Sequence, residues 1–111
     1  MYAAMCSIAW KQAPIEAVLP LVAKAGYAGI ELWGPHLDGY AAANDSLDPL
    51  VAQLRALGLQ VPMISAYYDL RNDPDEAIAT ATRHLHYALR VGAPLLRMFT
   101  GGGGSATASE T

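Results

Sequence analysis

Apolar positions along this chain alternate between short runs with a period of two and longer stretches at helical spacing, and the alternation repeats. Tyr2 to Ala9 reads as a first strand. Pro14 then stands where a first helical turn tolerates it, followed by Ile15, Val18, Leu19 and Val22 on one helical face. Pro20 predicts a kink in that helix, and Gly26 closes it. A second strand is expected at Gly29 to Trp33. Ser46 is a candidate N-cap for the next helix, with Pro49 in its first turn, Leu50, Leu54 and Leu57 as its apolar stripe, and Gly58 at its end. Val61 to Tyr67 reads as the third strand. Asp73, Pro74 and Glu76 make a capping box that opens a helix with Ile78, Leu85 and Leu89 on one side. Gly92 ends it, and Leu95 to Thr100 is the fourth strand.

The helix-ending glycines Gly26, Gly58 and Gly92 recur with a period of roughly 30 residues, the length of a βα unit. Strands so connected are parallel, with right-handed crossovers. The expected fold class is therefore α/β, a parallel (β/α) repeat of about four strands and three helices. Residues 1–100 form the repeat, and 101–111 is a Gly/Ser-rich segment read as a βα loop or a tail.

Period-two alternation also assigns faces. Ile30, Leu32, Ile64, Leu96 and Met98 suit the helix side of the sheet. Glu31, Trp33, Met63, Ser65, Tyr67, Arg97 and Phe99 then point the other way. A carboxylate and a guanidinium on one interior face pair most simply with each other, since either alone would be costly to bury. The pair either lines a polar substrate cavity or only fills the interior.

Composition narrows the classes. The chain has 111 residues, 53% hydrophobic and 15% charged, which suits a parallel sheet covered by helices. A net charge of −3 argues against non-specific nucleic-acid binding. No stretch is apolar enough to span a membrane, no signal peptide is legible, and the single Cys6 excludes an internal disulfide framework, so a cytoplasmic protein is expected. Cys6 has no definable histidine to activate it as a nucleophile. His84 and His86, two apart on a helix, make a poor metal pair. Gly101 to Gly104 have no adjacent lysine and no Walker spacing, so flexibility is a better reading than phosphate binding.

The run Ala25-Gly26-Tyr27-Ala28-Gly29-Ile30-Glu31-Leu32 resembles the strand-two signature of the xylose-isomerase-like TIM barrels. Asp73-Pro74-Asp75-Glu76 and Ala88-Leu89-Arg90-Val91-Gly92-Ala93-Pro94-Leu95-Leu96-Arg97 are similar to that family's third helix and fourth-strand entry. The resemblance covers about residues 1–105 and implies the N-terminal half of an eight-stranded barrel. It implies a sugar phosphate isomerase or epimerase, or a related lyase, of carbohydrate metabolism. Its substrate would be a small sugar or keto-polyol, transformed by proton transfer with a divalent metal (Mn, Mg, Zn or Co) in the full-length form. Strand-end histidines of the apurinic endonuclease branch are replaced here by Ser65 and Phe99, so that activity is not expected. The family's metal ligands and acid/base carboxylates lie on later strands. The chain alone is therefore expected to be inactive, with no cofactor of its own, no metal ligand and no assignable catalytic residue. Glu31, Trp33, His36, Tyr67, Arg97 and Trp10 are the candidate substrate-binding residues, with His36 read as a loop residue just after strand two. Two other readings stand beside this one. The first is a non-catalytic half-barrel that self-associates as a homo-oligomer through its open strand edges. The second is a small open-sheet, flavodoxin-like domain.

Overall fold

The computed structural model describes residues 3–68 and 71–100, with Phe99 and Thr100 described by their backbone alone. Four strands, β1 (Ala4–Cys6), β2 (Gly29–Trp33), β3 (Met63–Tyr68) and β4 (Leu95–Thr100), form one parallel sheet in the order β1-β2-β3-β4. Helices α1 (Ile15–Lys24), α2 (Gly34–Asn44), α3 (Asp48–Leu57) and α4 (Pro74–Val91) connect them. Strictly sequential order is that of a barrel wall. A flavodoxin-like sheet would return its second strand to the edge, so that alternative does not hold.

The core lies between the sheet and its helices. Ile30 and Leu32 of β2 and Ile64 of β3 are fully buried against Ile15, Val18, Leu19 and Val22 of α1 and Leu50 of α3. The ends of α3 and α4 show expected chemistry at three points. Gly58 and Gly92 take left-handed backbone at φ 68° and 79°, where a side chain would be strained. Asp73 accepts the Glu76 amide N–H at 3.1 Å, capping α4. Pro20 lies inside α1, and its missing N–H leaves the Glu16 carbonyl without its helical donor. Gln53 of α3 donates its side-chain Nε2–H there at 2.9 Å, and the helix continues to Lys24.

Five expectations need correction. The first strand stops at Cys6, and Ser7–Trp10 winds into a 3-10 turn; Tyr2 lies outside the described residues. The buried Ser7 hydroxyl accepts the Trp33 amide N–H at 2.8 Å, an alternative to the strand ladder that turns the chain. The third strand is displaced, running Met63–Tyr68. Four helices are present among the described residues rather than three, because Gly34–Asn44, read as loop, is α2. Its buried positions are Gly34, His36, Leu37 and Tyr40, so no stripe of large apolar residues announces it. Ser46 is not the N-cap of α3, which starts at Asp48, although its hydroxyl accepts the Asp48 amide N–H at 3.0 Å.

The last correction is to α4. Ile78, Leu85 and Leu89 are exposed, and the buried positions are Ala77, His84 and Ala88. Small alanines let the helix approach β3 and β4 closely. The same closeness fixes Gly34, where an added Cβ would lie 2.4 Å from the His84 ring. No helix of the described residues is long and apolar enough to cross a membrane.

Candidate functional site

On the sheet face opposite the helices, the strands bring a small polar group together. The parallel register sets Cys6 of β1 beside Glu31 of β2, Trp33 beside Ser65 of β3, and Ser65 beside Arg97 of β4. A cavity of about 530 Å³ opens there, lined by Cys6, Ile8, Glu31, Trp33, Ser65, Tyr67 and Arg97. A larger hollow of about 630 Å³ lies between α3 and α4 at the N-terminal ends of β3 and β4. It holds arginines but no carboxylate, and barrel enzymes work at the other end. The smaller cavity is the chemical one.

Glu31 is its anchor. Ser65 Oγ donates to Glu31 Oε2 at 2.6 Å, and the Cys6 thiol donates to the same oxygen at 3.4 Å. Oε1 faces the Arg97 guanidinium at 3.8 Å, an ion pair without a direct hydrogen bond. The glutamate side chain is 15% exposed and the arginine 53%, so one member is fixed and the other reaches into the opening. Such a pair adds little to stability. Burial, reinforced by the neighbouring Glu31 carboxylate, pushes the Cys6 thiol up against the opposing effect of a backbone hydrogen bond from Ile8. Cys6 is thus a thiol donor to Glu31 and a poor nucleophile.

Of the six residues singled out in the sequence, Glu31, Trp33, Tyr67 and Arg97 line this cavity. Trp10 and His36 do not. Trp10 packs half-buried against the core. His36 is buried on α2, correcting its assignment to a loop. Its Nε2 faces the Trp10 carbonyl at 3.2 Å and its Nδ1 the Ser7 hydroxyl at 2.9 Å. A carbonyl can only accept, so Nε2 carries the proton and the Ser7 hydroxyl donates to Nδ1 in the neutral ring. His36 therefore ties the 3-10 turn to the first turn of α2. Phe99, expected on the interior face, has a side chain outside the described residues.

Two groups escaped sequence reasoning. Ser65 was placed on the right face by alternation, but nothing marked it as the partner of Glu31. The other is a hydrogen-bonded chain on the helix side, buried at Tyr68 and His84 and reaching the surface at Asp38 and Arg83. Tyr68 of β3 meets His84 Nδ1 at 2.6 Å, His84 Nε2 donates to Asp38 of α2 at 3.0 Å, and Arg83 Nε donates to Asp38 at 2.9 Å. Burial alone would raise the Asp38 carboxyl, but the Arg83 and His84 hydrogen bonds outweigh it and hold it below the usual range. Burial, helped by the Asp38 charge, pushes the Tyr68 hydroxyl up to about 12, so it stays a neutral donor.

The family resemblance implies a divalent metal, and the residues can be tested for it. Among the described residues no group of three His, Cys, Asp or Glu side chains converges. In the cavity only Glu31 and Cys6 are of ligand type, and Glu31 Oε2 already accepts two donors. This set does not fit such a metal by itself. What it can do is bind and orient polar oxygens.

A sequential parallel sheet, helices on one face and a polar cavity on the other together define a wall of a (β/α) barrel. The chain belongs to the xylose isomerase-like TIM barrel family, whose model matches residues 19–111. Among solved structures it is similar to the probable 3-DHS dehydratase AsbF from Bacillus anthracis, involved in petrobactin synthesis. The two share 25% sequence identity with a TM-score of 0.77 over 96% of this chain. The chain spans 40% of the length of that protein. No curated protein sequence matches it.

Proposed function

We propose that this chain forms the substrate-binding wall of a barrel enzyme that moves a proton next to a carbonyl on a small sugar or keto-polyol. Isomerisation and epimerisation are the leading forms of that chemistry. The observation that carries the reading is the Glu31–Ser65–Arg97 group in one cavity on the interior face. Ser65 and Cys6 hold Glu31 Oε2, which leaves Oε1 to accept substrate hydroxyl protons. The half-exposed Arg97 guanidinium donates to carbonyl, carboxylate or phosphate oxygens in the same opening. Trp33 and Tyr67 offer aromatic faces to the C–H face of a sugar ring. These groups bind and orient, and the residues that carry the proton lie outside the described set. The single Cys6, a free thiol, is consistent with a cytoplasmic setting.

The likeness to a probable 3-DHS dehydratase supports a second form, removal of water, which also begins by taking a proton beside a carbonyl. Calorimetric titration of the chain, and of a barrel-length protein containing it, with sugar phosphates and with 3-DHS separates the two. Binding weakened at least tenfold by Arg97→Met and by Glu31→Gln is the expected result. Unchanged binding in both variants would refute the cavity assignment. The 111-residue chain itself is expected to turn over neither substrate.

A further inference from the structure

The geometry points to His84 as a positioning residue for the cavity: from the helix side of the sheet, its ring sets where Trp33 and Tyr67 stand on the interior side. The inference deepens the reading of the cavity as a binding site. Its test needs no ligand, so it can fail while that reading holds.

His84 is 1% exposed and lies on α4, across the sheet from the cavity. Its ring is held at three places. The hydroxyl of Tyr68, the last residue of β3, donates to Nδ1 at 2.6 Å. Nε2 donates to Asp38 Oδ2 of α2 at 3.0 Å. Between the two nitrogens, Cε1 lies against the Gly34 backbone, where an added Cβ would come within 2.4 Å of Cε1 and 2.7 Å of Nδ1. Gly34 and Asp38 are one helical turn apart, so the ring bears on a single face of α2 at its first turn. In the neutral ring one nitrogen donates and the other accepts, and both are engaged.

The residues fixed by this ring are each one step from a cavity residue. Gly34 follows Trp33, the N-cap of α2, and Tyr68 follows Tyr67. Side chains alternate along a strand, so pointing Tyr68 at His84 sends Tyr67 into the cavity. A shift of Gly34 or Tyr68 therefore carries the neighbouring aromatic ring with it. The two strands also meet closely here. Trp33 stands beside Ser65 in the register, and a Cβ on Gly34 would lie 2.9 Å from the Ala66 Cβ. A close-packed interior passes such a displacement on instead of absorbing it. One imidazole thus sets the spacing of two aromatic walls that it does not touch from the cavity side.

A residue that only stabilises would, when replaced, lower the unfolding free energy and leave Trp33 of the folded protein where it was. Acrylamide quenching of Trp33 fluorescence separates the two roles, in a Trp10→Phe background that leaves Trp33 as the only tryptophan. His84→Leu is expected to change the quenching constant of the folded chain roughly twofold or more, with helical circular dichroism kept. His84→Gln, which can still accept from Tyr68 and donate to Asp38, should restore most of the original value. If His84→Leu loses its helical signal, Tyr68→Phe, which removes one of the three ties, is read in its place with the same expectation. A folded variant whose Trp33 is quenched as in its parent overturns the proposal. So does a His84→Gln chain as far altered as the variant it should rescue.

Discussion

Adjacent residues of β2 and β3 experience two different environments. On the helix side Ile30, Leu32 and Ile64 are fully buried, and the polar groups that share that side, Tyr68, His84 and Asp38, satisfy one another through short hydrogen bonds. On the interior side Glu31, Trp33, Tyr67 and Arg97 are partly exposed, and the Glu31–Arg97 ion pair stands at 3.8 Å. At β2 and β3 the helix side is filled by this chain's own side chains, whereas the interior side keeps charge and aromatic surface facing an opening. Stability and recognition are thus divided between odd and even positions of the same strands. A strand makes this possible because its side chains alternate by necessity.

The comparison can be broken most forcefully on the helix side. Leu32→Ala removes a fully buried side chain and should cost roughly 2–5 kcal/mol in chemical denaturation at fixed protomer concentration. A cost as small as that of an exposed position would mean the core lies elsewhere. Next in size is His84→Leu, which keeps the volume roughly filled but leaves the buried Tyr68 hydroxyl without its partner and Asp38 Oδ2 with only the longer Arg83 Nη2 contact at 3.4 Å. A loss of about 1–3 kcal/mol is expected. A neutral outcome would show that the hydrogen-bonded chain carries no stabilisation.

Acid sharpens the same point. The folded-state pKa of Asp38 lies below its unfolded value, so its contribution is present above the usual carboxylate range and is lost as pH falls through the depressed value. Unfolding free energy should fall with acid in the unmodified chain, and Asp38→Asn should flatten part of that slope. A slope identical in the two proteins would deny the shift. The smallest effect belongs to the interior side. A double-mutant cycle on Glu31→Gln and Arg97→Met should give a coupling below about 1 kcal/mol, because Arg97 is half exposed. A coupling of several kcal/mol would turn the cavity wall into a buried structural pair.

Much of this division could be read in the sequence, for a physical reason. Alternation is obligatory in a strand, so placing Ile30 and Leu32 with the helices sends Glu31 and Trp33 the other way, and the structure agrees. Glycines after α3 and α4, and the Asp73 cap, are equally legible because a left-handed residue or an N-cap is local chemistry. Helix α2 was not legible, since its buried face carries Gly34 and His36 where a stripe of large apolar residues is expected. The phase of α4 misled for the complementary reason. Its large apolar residues face outward beside the β4 edge, and alanine and histidine take the buried positions. Ser65 with Glu31, and Asp38 with His84, are partners across distant segments, and such pairs leave no periodic trace.

The central claim is that neighbouring positions on β2 serve opposite ends, and unfolding of Ile30→Ala and Glu31→Gln under identical conditions tests it most directly. The predicted result is a loss of roughly 2–5 kcal/mol at Ile30 against less than about 1 kcal/mol at Glu31. Equal losses, or a larger one at Glu31, would contradict it.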